Sequence, residues 1–128
     1  MRSDFRINAF ISLVCIILYC LNKTTTYNEI EENILKYIWD YNFTDFLCVI
    51  LNLSLANTAL ALLKKKGVYD FRTIIVLSVF SCFLWEFVIT LIKSESTFDI
   101  FDCMAYLLGG TFYYCLMKTV HNTSNLQK

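Results

Sequence analysis

The chain of 128 residues is long enough for one domain, and its hydrophobic fraction of 57% exceeds the apolar share of an ordinary soluble domain, about 45–50%. Lys plus Arg and Asp plus Glu stand at 11 each, so the formal net charge is zero. Bulk electrostatics therefore lend no support to a nucleic-acid partner or a strongly acidic one.

Four apolar runs follow one another along the chain. The first, about 7–22, lies between Arg2 and Arg6 on one side and Lys23 on the other. A spanning helix needs about 20 residues, so this run is short and must borrow from its flanks. Its basic start and brief apolar centre also fit a cleaved signal peptide. Tyr19-Cys20-Leu21-Asn22 offers no pair of small residues for cleavage, which favours a retained helix.

Next comes a connection in which Ile30, Ile34, Tyr37, Ile38 and Tyr41 recur on one helical face. Tyr37, Trp39 and Tyr41 are residue types that settle at headgroup level. The pattern predicts a short amphipathic helix over 28–41, lying on the membrane surface and feeding into the second span. The second run, 43–63, stops at Lys64-Lys65-Lys66. With no proline in the chain, Gly67 is the obvious turn residue before the third run, 73–92. The fourth run covers 100–120. The fold class expected is all-α: a single transmembrane domain over 1–128, an integral membrane four-helix bundle with one interfacial helix between its first two spans.

Six cysteines, Cys15, Cys20, Cys48, Cys82, Cys103 and Cys115, show no CxxC spacing. That argues against a zinc site or disulfide framework and for small apolar fillers at helix contacts.

Orientation follows from the basic residues, because Lys and Arg gather on the cytoplasmic side. An inside N-terminus places Arg2, Arg6, Lys64, Lys65, Lys66, Arg72, Lys118 and Lys128 in the cytoplasm and leaves Lys23, Lys36 and Lys93 outside. Both termini are then cytoplasmic. The acids divide the other way, with only Asp4 and Asp70 inside.

Glu86 is the one charge between Thr73 and Ile92. A carboxylate at that depth costs about 2.5–3.5 kcal/mol on insertion scales and normally faces protein or water. Ser78, Cys82, Glu86 and Thr90 form an i, i+4 ladder on the third run. Asp99, Asp102, Tyr106, Gly109 or Gly110, and Tyr113 recur on the fourth, and Asp45, Cys48, Asn52, Ala56 and Ala59 share a face of the second. The topology places Glu86, Asp99, Asp102 and Asp45 in the outer half or at the outer edge. With Tyr106 and Asn52 they form the expected ligand site. Oxygen ligands of this kind suit a divalent cation at Glu86, Asp99 and Asp102; no other cofactor is implied. Clustered acids can also shuttle a proton or do acid–base work on a headgroup, so the residues leave enzymatic activity open. The plainer reading is that Asp99 and Asp102 cap the fourth helix and Glu86 is hydrogen-bonded.

Trp85-Glu86, then Ser96-Thr97-Phe98-Asp99-Ile100-Phe101-Asp102, then Ala105-Tyr106 and Gly109-Gly110 resembles the signature half of VanZ-like membrane proteins. Glu86, Asp99, Asp102 and Gly109 match that pattern in order and approximate spacing, over about residues 85–114. Tyr106 stands where the family has Asn, and the family's Arg has no counterpart, Lys93 being the nearest basic residue. The resemblance implies a small bacterial inner-membrane protein of the cell envelope. Its outward acidic site would take a cationic or lipid-linked ligand. Two other readings stay open: a small homo-oligomeric carrier with Glu86 as the coupling carboxylate, and a non-catalytic membrane subunit of a larger complex.

The basic-residue asymmetry yields a direct test. Reporters inserted at Gly67 and fused after Lys128 should both read cytoplasm, and one near Glu29 should read the outer side. An external signal at Gly67 would invert the orientation and carry the acids to the cytoplasm.

Overall fold

A computed structural model describes residues 2–26, 34–92 and 100–126. It is all-helical: α1 (Arg2–Thr26), α2 (Ile34–Leu62), α3 (Phe71–Ile92) and α4 (Ile100–Leu126). Three stretches are long and apolar enough to cross a membrane, namely Asp4–Thr24, Asn42–Leu62 and Ile100–Asn122. In α3 the described apolar stretch is Phe71–Trp85.

The first helix is longer than its hydropathy suggests. Neither proline nor glycine interrupts Arg2–Thr26, so helix continues through both polar flanks. Asp4 in its first turn and Lys23 in its last both suit the helix dipole. The same lack of a breaker acts at the start of α2. Ile34–Tyr41, expected as the end of the surface helix, is helical and runs unbroken into the apolar stretch that follows. The remainder of that expected helix, 28–33, lies outside the described residues.

The turn between α2 and α3 is made differently from the expectation. Gly67 has no positive φ; Lys64 takes the left-handed conformation, at φ 57°. Lys65 N–H donates to the Leu60 carbonyl at 2.8 Å and Lys64 N–H to that of Ala61 at 3.2 Å, the paired bonds of a Schellman cap. Gly67 serves space instead, since a Cβ there would lie 2.7 Å from the Tyr69 ring. Asp70 then caps α3, its carboxylate accepting from Thr73 N–H at 3.1 Å and from the Thr73 hydroxyl at 3.2 Å.

In space the helices run in the order α1, α2, α4, α3, with only slight contact between α2 and α3. Hydrogen bonds fix α1 antiparallel to α2. Ser12 meets Ser54 at 2.8 Å, and ten residues along each helix Asn22 donates to Thr44 at 3.3 Å. On the α4 side Cys48 lies beside Tyr106 and Asn57 meets Tyr113, so α2 and α4 run in the same direction. Ile74 and Ser78 face Gly110 while Cys82 faces Cys103, so α3 and α4 are antiparallel. The chain therefore alternates direction at every helix. The N-terminus of α1, the 63–70 connection and the end of α4 share one end of the bundle. The starts of α2 and α4 and the end of α3 share the other.

Gly109 and Gly110 permit this packing. A Cβ on Gly109 would lie 2.6 Å from the Phe46 carbonyl oxygen and collide with Val49; one on Gly110 would collide with the Ser78 hydroxyl. Gly109→Ala should destabilise the bundle by about 1–3 kcal/mol, the usual range for overpacking. Gly110→Ala should be rescued in part by Ser78→Ala, which removes the colliding oxygen. Unfolding of the two single variants and the double variant in detergent measures this. Strict additivity would show that the Ser78 contact is not what excludes a side chain.

Candidate functional site

The described part of the acidic end is built on α2 and α4. Asp45 and Cys48 lie on one face of α2, half-buried, and they line a cavity of about 210 Å³ with Cys15 and Tyr19 of α1, Leu51 of α2 and Trp85 of α3. Asp45 is the one acidic residue in that largely apolar lining. Tyr106 of α4 is 2% exposed, and its hydroxyl makes no hydrogen bond of standard geometry. The nearest polar neighbour described for it is the Cys48 thiol, a weak partner. Asp102 is half-buried in the first turn of α4, where the helix dipole favours a negative charge.

The expected site residues are only partly brought together. Asp45 and Tyr106 both approach Cys48, as the shared faces imply. Asn52 is exposed, as are Ala56 and Ala59, so that half of the expected α2 face turns outward. Its one described bond is from Asn52 Nδ2 to Cys48 Sγ at 3.8 Å. The buried face of α2 is Leu53, Ser54 and Asn57 instead. Residue 86 lies in α3 one turn beyond Cys82. Its side chain, and the whole of Asp99, fall outside the described residues. Among the described residues no three His, Cys, Asp or Glu side chains gather as a metal site.

Among the described residues a more extensive polar network occupies the opposite end, and most of it goes unmarked in the sequence pattern. Asn57 binds the 65–70 connection twice, accepting from Val68 N–H at 2.6 Å and donating to the Val68 carbonyl at 3.0 Å. Its amide also donates to the Tyr113 hydroxyl at 2.7 Å. Tyr113 in turn donates to Asn8 Oδ1 at 2.6 Å, and Asn8 donates to the Tyr69 hydroxyl at 3.3 Å and the Asp4 backbone carbonyl at 2.8 Å. Tyr69 packs edge-on against His121, with ring centroids 4.8 Å apart, and His121 Nε2 lies 3.9 Å from Asp4. These side chains tie both ends of the chain to the central turn. Asn8, Ser12 and Cys15 recur at i, i+4 and i+7, a spacing that marks a buried polar stripe on α1.

Comparison with family models, with curated proteins and with solved structures finds no match.

Tyr69 provides a pH test of the network. Burial raises its pKa first, the nearby Asp4 charge adds to that, and the Asn8 hydrogen bond acts the other way. The folded state thus holds the phenol proton more tightly than the unfolded chain does. Stability from this group is intact below the unfolded pKa of about 10 and is lost as pH rises through the folded value. Tyr69→Phe should flatten that alkaline decline in a stability-against-pH profile while leaving neutral pH little changed. An unchanged alkaline limb would place Tyr69 outside the linkage.

Proposed function

We propose that this is a four-span membrane protein of the bacterial cell envelope, VanZ-like in its acidic half. Both termini are cytoplasmic, and the outward acidic end receives a cationic or lipid-linked ligand. Three apolar helices support membrane residence. So do the outward stripes, such as Val76, Phe80, Phe83, Phe87 and Leu91 on α3 and Ile100, Met104, Leu108 and Phe112 on α4, all exposed. A surface of that character suits lipid and not water. Retention of α1 is supported by Asn8 and Ser12, which are buried and hydrogen-bonded to the rest of the bundle.

The cavity beside Asp45 is the observation that carries the ligand reading. A mostly apolar recess with one carboxylate and an aromatic wall matches an alkyl chain bearing a positive head, which Trp85 or Tyr19 can face through its ring. Glu86 follows Trp85 directly in the chain. The reading adds Glu86, Asp99 and Asp102 as the remaining negative charge around the same end. A divalent cation held by those three is the metal version of this site.

Two tryptophans, Trp39 and Trp85, make the test optical. A Trp39→Phe chain in neutral lipid vesicles leaves Trp85 as reporter. An alkyltrimethylammonium should shift its emission at lower concentration than an alkanol of equal length. Asp45→Asn and Glu86→Gln should each weaken the ammonium response about tenfold, or roughly 1.4 kcal/mol, and leave the alkanol response alone. Equal responses to both probes, or variants that bind the ammonium as well as the parent does, would end the reading. Magnesium added alone tests the metal version through the same reporter.

A further inference from the structure

We propose that Cys82 and Cys103 are a modification site, a thiol pair that closes into a disulfide between α3 and α4. Their sulfurs lie 2.9 Å apart, about 0.9 Å beyond a disulfide bond of roughly 2.05 Å. Gly110 admits Ser78 one turn before Cys82 in α3, so the two helices approach closely next to where the cysteines meet. Cys82 is buried and Cys103 half-buried, which makes Cys103 the sulfur that an oxidant reaches first. Both cysteines are fillers at a helix contact, as their sequence setting implies, but they fill it sulfur against sulfur. The alternative for such a pair is a thiol–thiol hydrogen bond that never oxidises.

The oxidant is a disulfide, carried by a protein or a small molecule. Cys103 as thiolate attacks one of its sulfurs, breaks the external S–S bond and releases the first thiolate, leaving a mixed disulfide. Cys82 then attacks the Cys103 sulfur as it loses its proton, and the second external thiolate departs. Two protons from the chain end on the two released thiols, so the oxidant is reduced by two electrons and one interhelical S–S bond replaces two S–H bonds. Glu86, Asp99 and Asp102 all lie in the segment that this bond closes into a ring. Oxidation therefore restrains the acid-bearing connection, whatever that connection binds.

The experiment uses the full chain in lipid vesicles with Cys115→Ser, because trypsin leaves Cys103 and Cys115 on one peptide. The reduced protein is treated with oxidised glutathione, blocked with a maleimide and digested without reduction. The expected product is the Cys82 peptide joined to the Cys103 peptide, two hydrogens lighter than the sum, in most chains. With Cys103→Ser added, the Cys82 peptide should return as its maleimide adduct. The same link should form with copper phenanthroline, which oxidises thiols inside the membrane. Recovery of both cysteines as adducts after either oxidant would overturn the proposal. A stable glutathione adduct on Cys103, or Cys82 joined to Cys48, would overturn it equally.

Discussion

At Gly109 and Gly110 two consecutive α-carbons without side chains face different partners, Phe46 and Val49 of α2 on one side and Ile74 and Ser78 of α3 on the other. Consecutive positions on a helix are turned by about 100°, the consequence of 3.6 residues per turn. One glycine pair can therefore serve two interfaces that a single glycine could not. Small residues at such contacts let helix backbones approach closely. The remaining packing follows from this approach. Tyr113, one turn on from Gly109, reaches Asn57 and Asn8, and Cys103, two turns back from Gly110, reaches Cys82.

The polar side chains then divide between two tasks. At the end shared by the N-terminus of α1 and the 63–70 connection, every link of the Asn57–Tyr113–Asn8–Tyr69 chain has a donor and an acceptor. Interhelical hydrogen bonds in membranes contribute about 0.6 kcal/mol on average and up to roughly 1.7, so several in series stiffen this end appreciably. At the other end Tyr106 is buried beside the Cys48 thiol, and Asp45 lines a cavity. Among the described residues, then, one end is tied by hydrogen bonds between helices and the other carries an acid-lined recess.

Much of the architecture is legible in hydropathy because apolar runs and helices coincide wherever proline and glycine are absent. The limits of that signal are just as physical. Hydropathy ends where charge begins, but a helix does not, so α1 extends through Arg2–Arg6 and Lys23–Thr26, and α2 begins before its apolar core. Faces are harder to read than helices. Asn52, Ala56 and Ala59 look like a packing stripe because small and polar residues often form one, yet they are exposed, and the Leu53–Ser54–Asn57 face is the one that turns inward. The same ambiguity hid Asn57: an asparagine among apolar neighbours carries no mark of whether its partner is water, lipid headgroup or the backbone of Val68. The left-handed Lys64 was equally silent, since the glycine three residues later seemed the natural place for the turn.

The order of the helices in space has a consequence for biogenesis. Helices leave the ribosome in the sequence α1, α2, α3, α4, but they pack as α1, α2, α4, α3. The α1–α2 hairpin can close as soon as both are made, its serine pair and Asn22–Thr44 bond needing nothing further. The third helix has no such refuge, because α2 offers it only slight contact. It must wait beside the hairpin until the fourth helix packs between them. During that interval Ser78 is without Gly110, and Cys82 without Cys103. The bundle therefore stays incomplete until α4, in the last quarter of the chain, has been made.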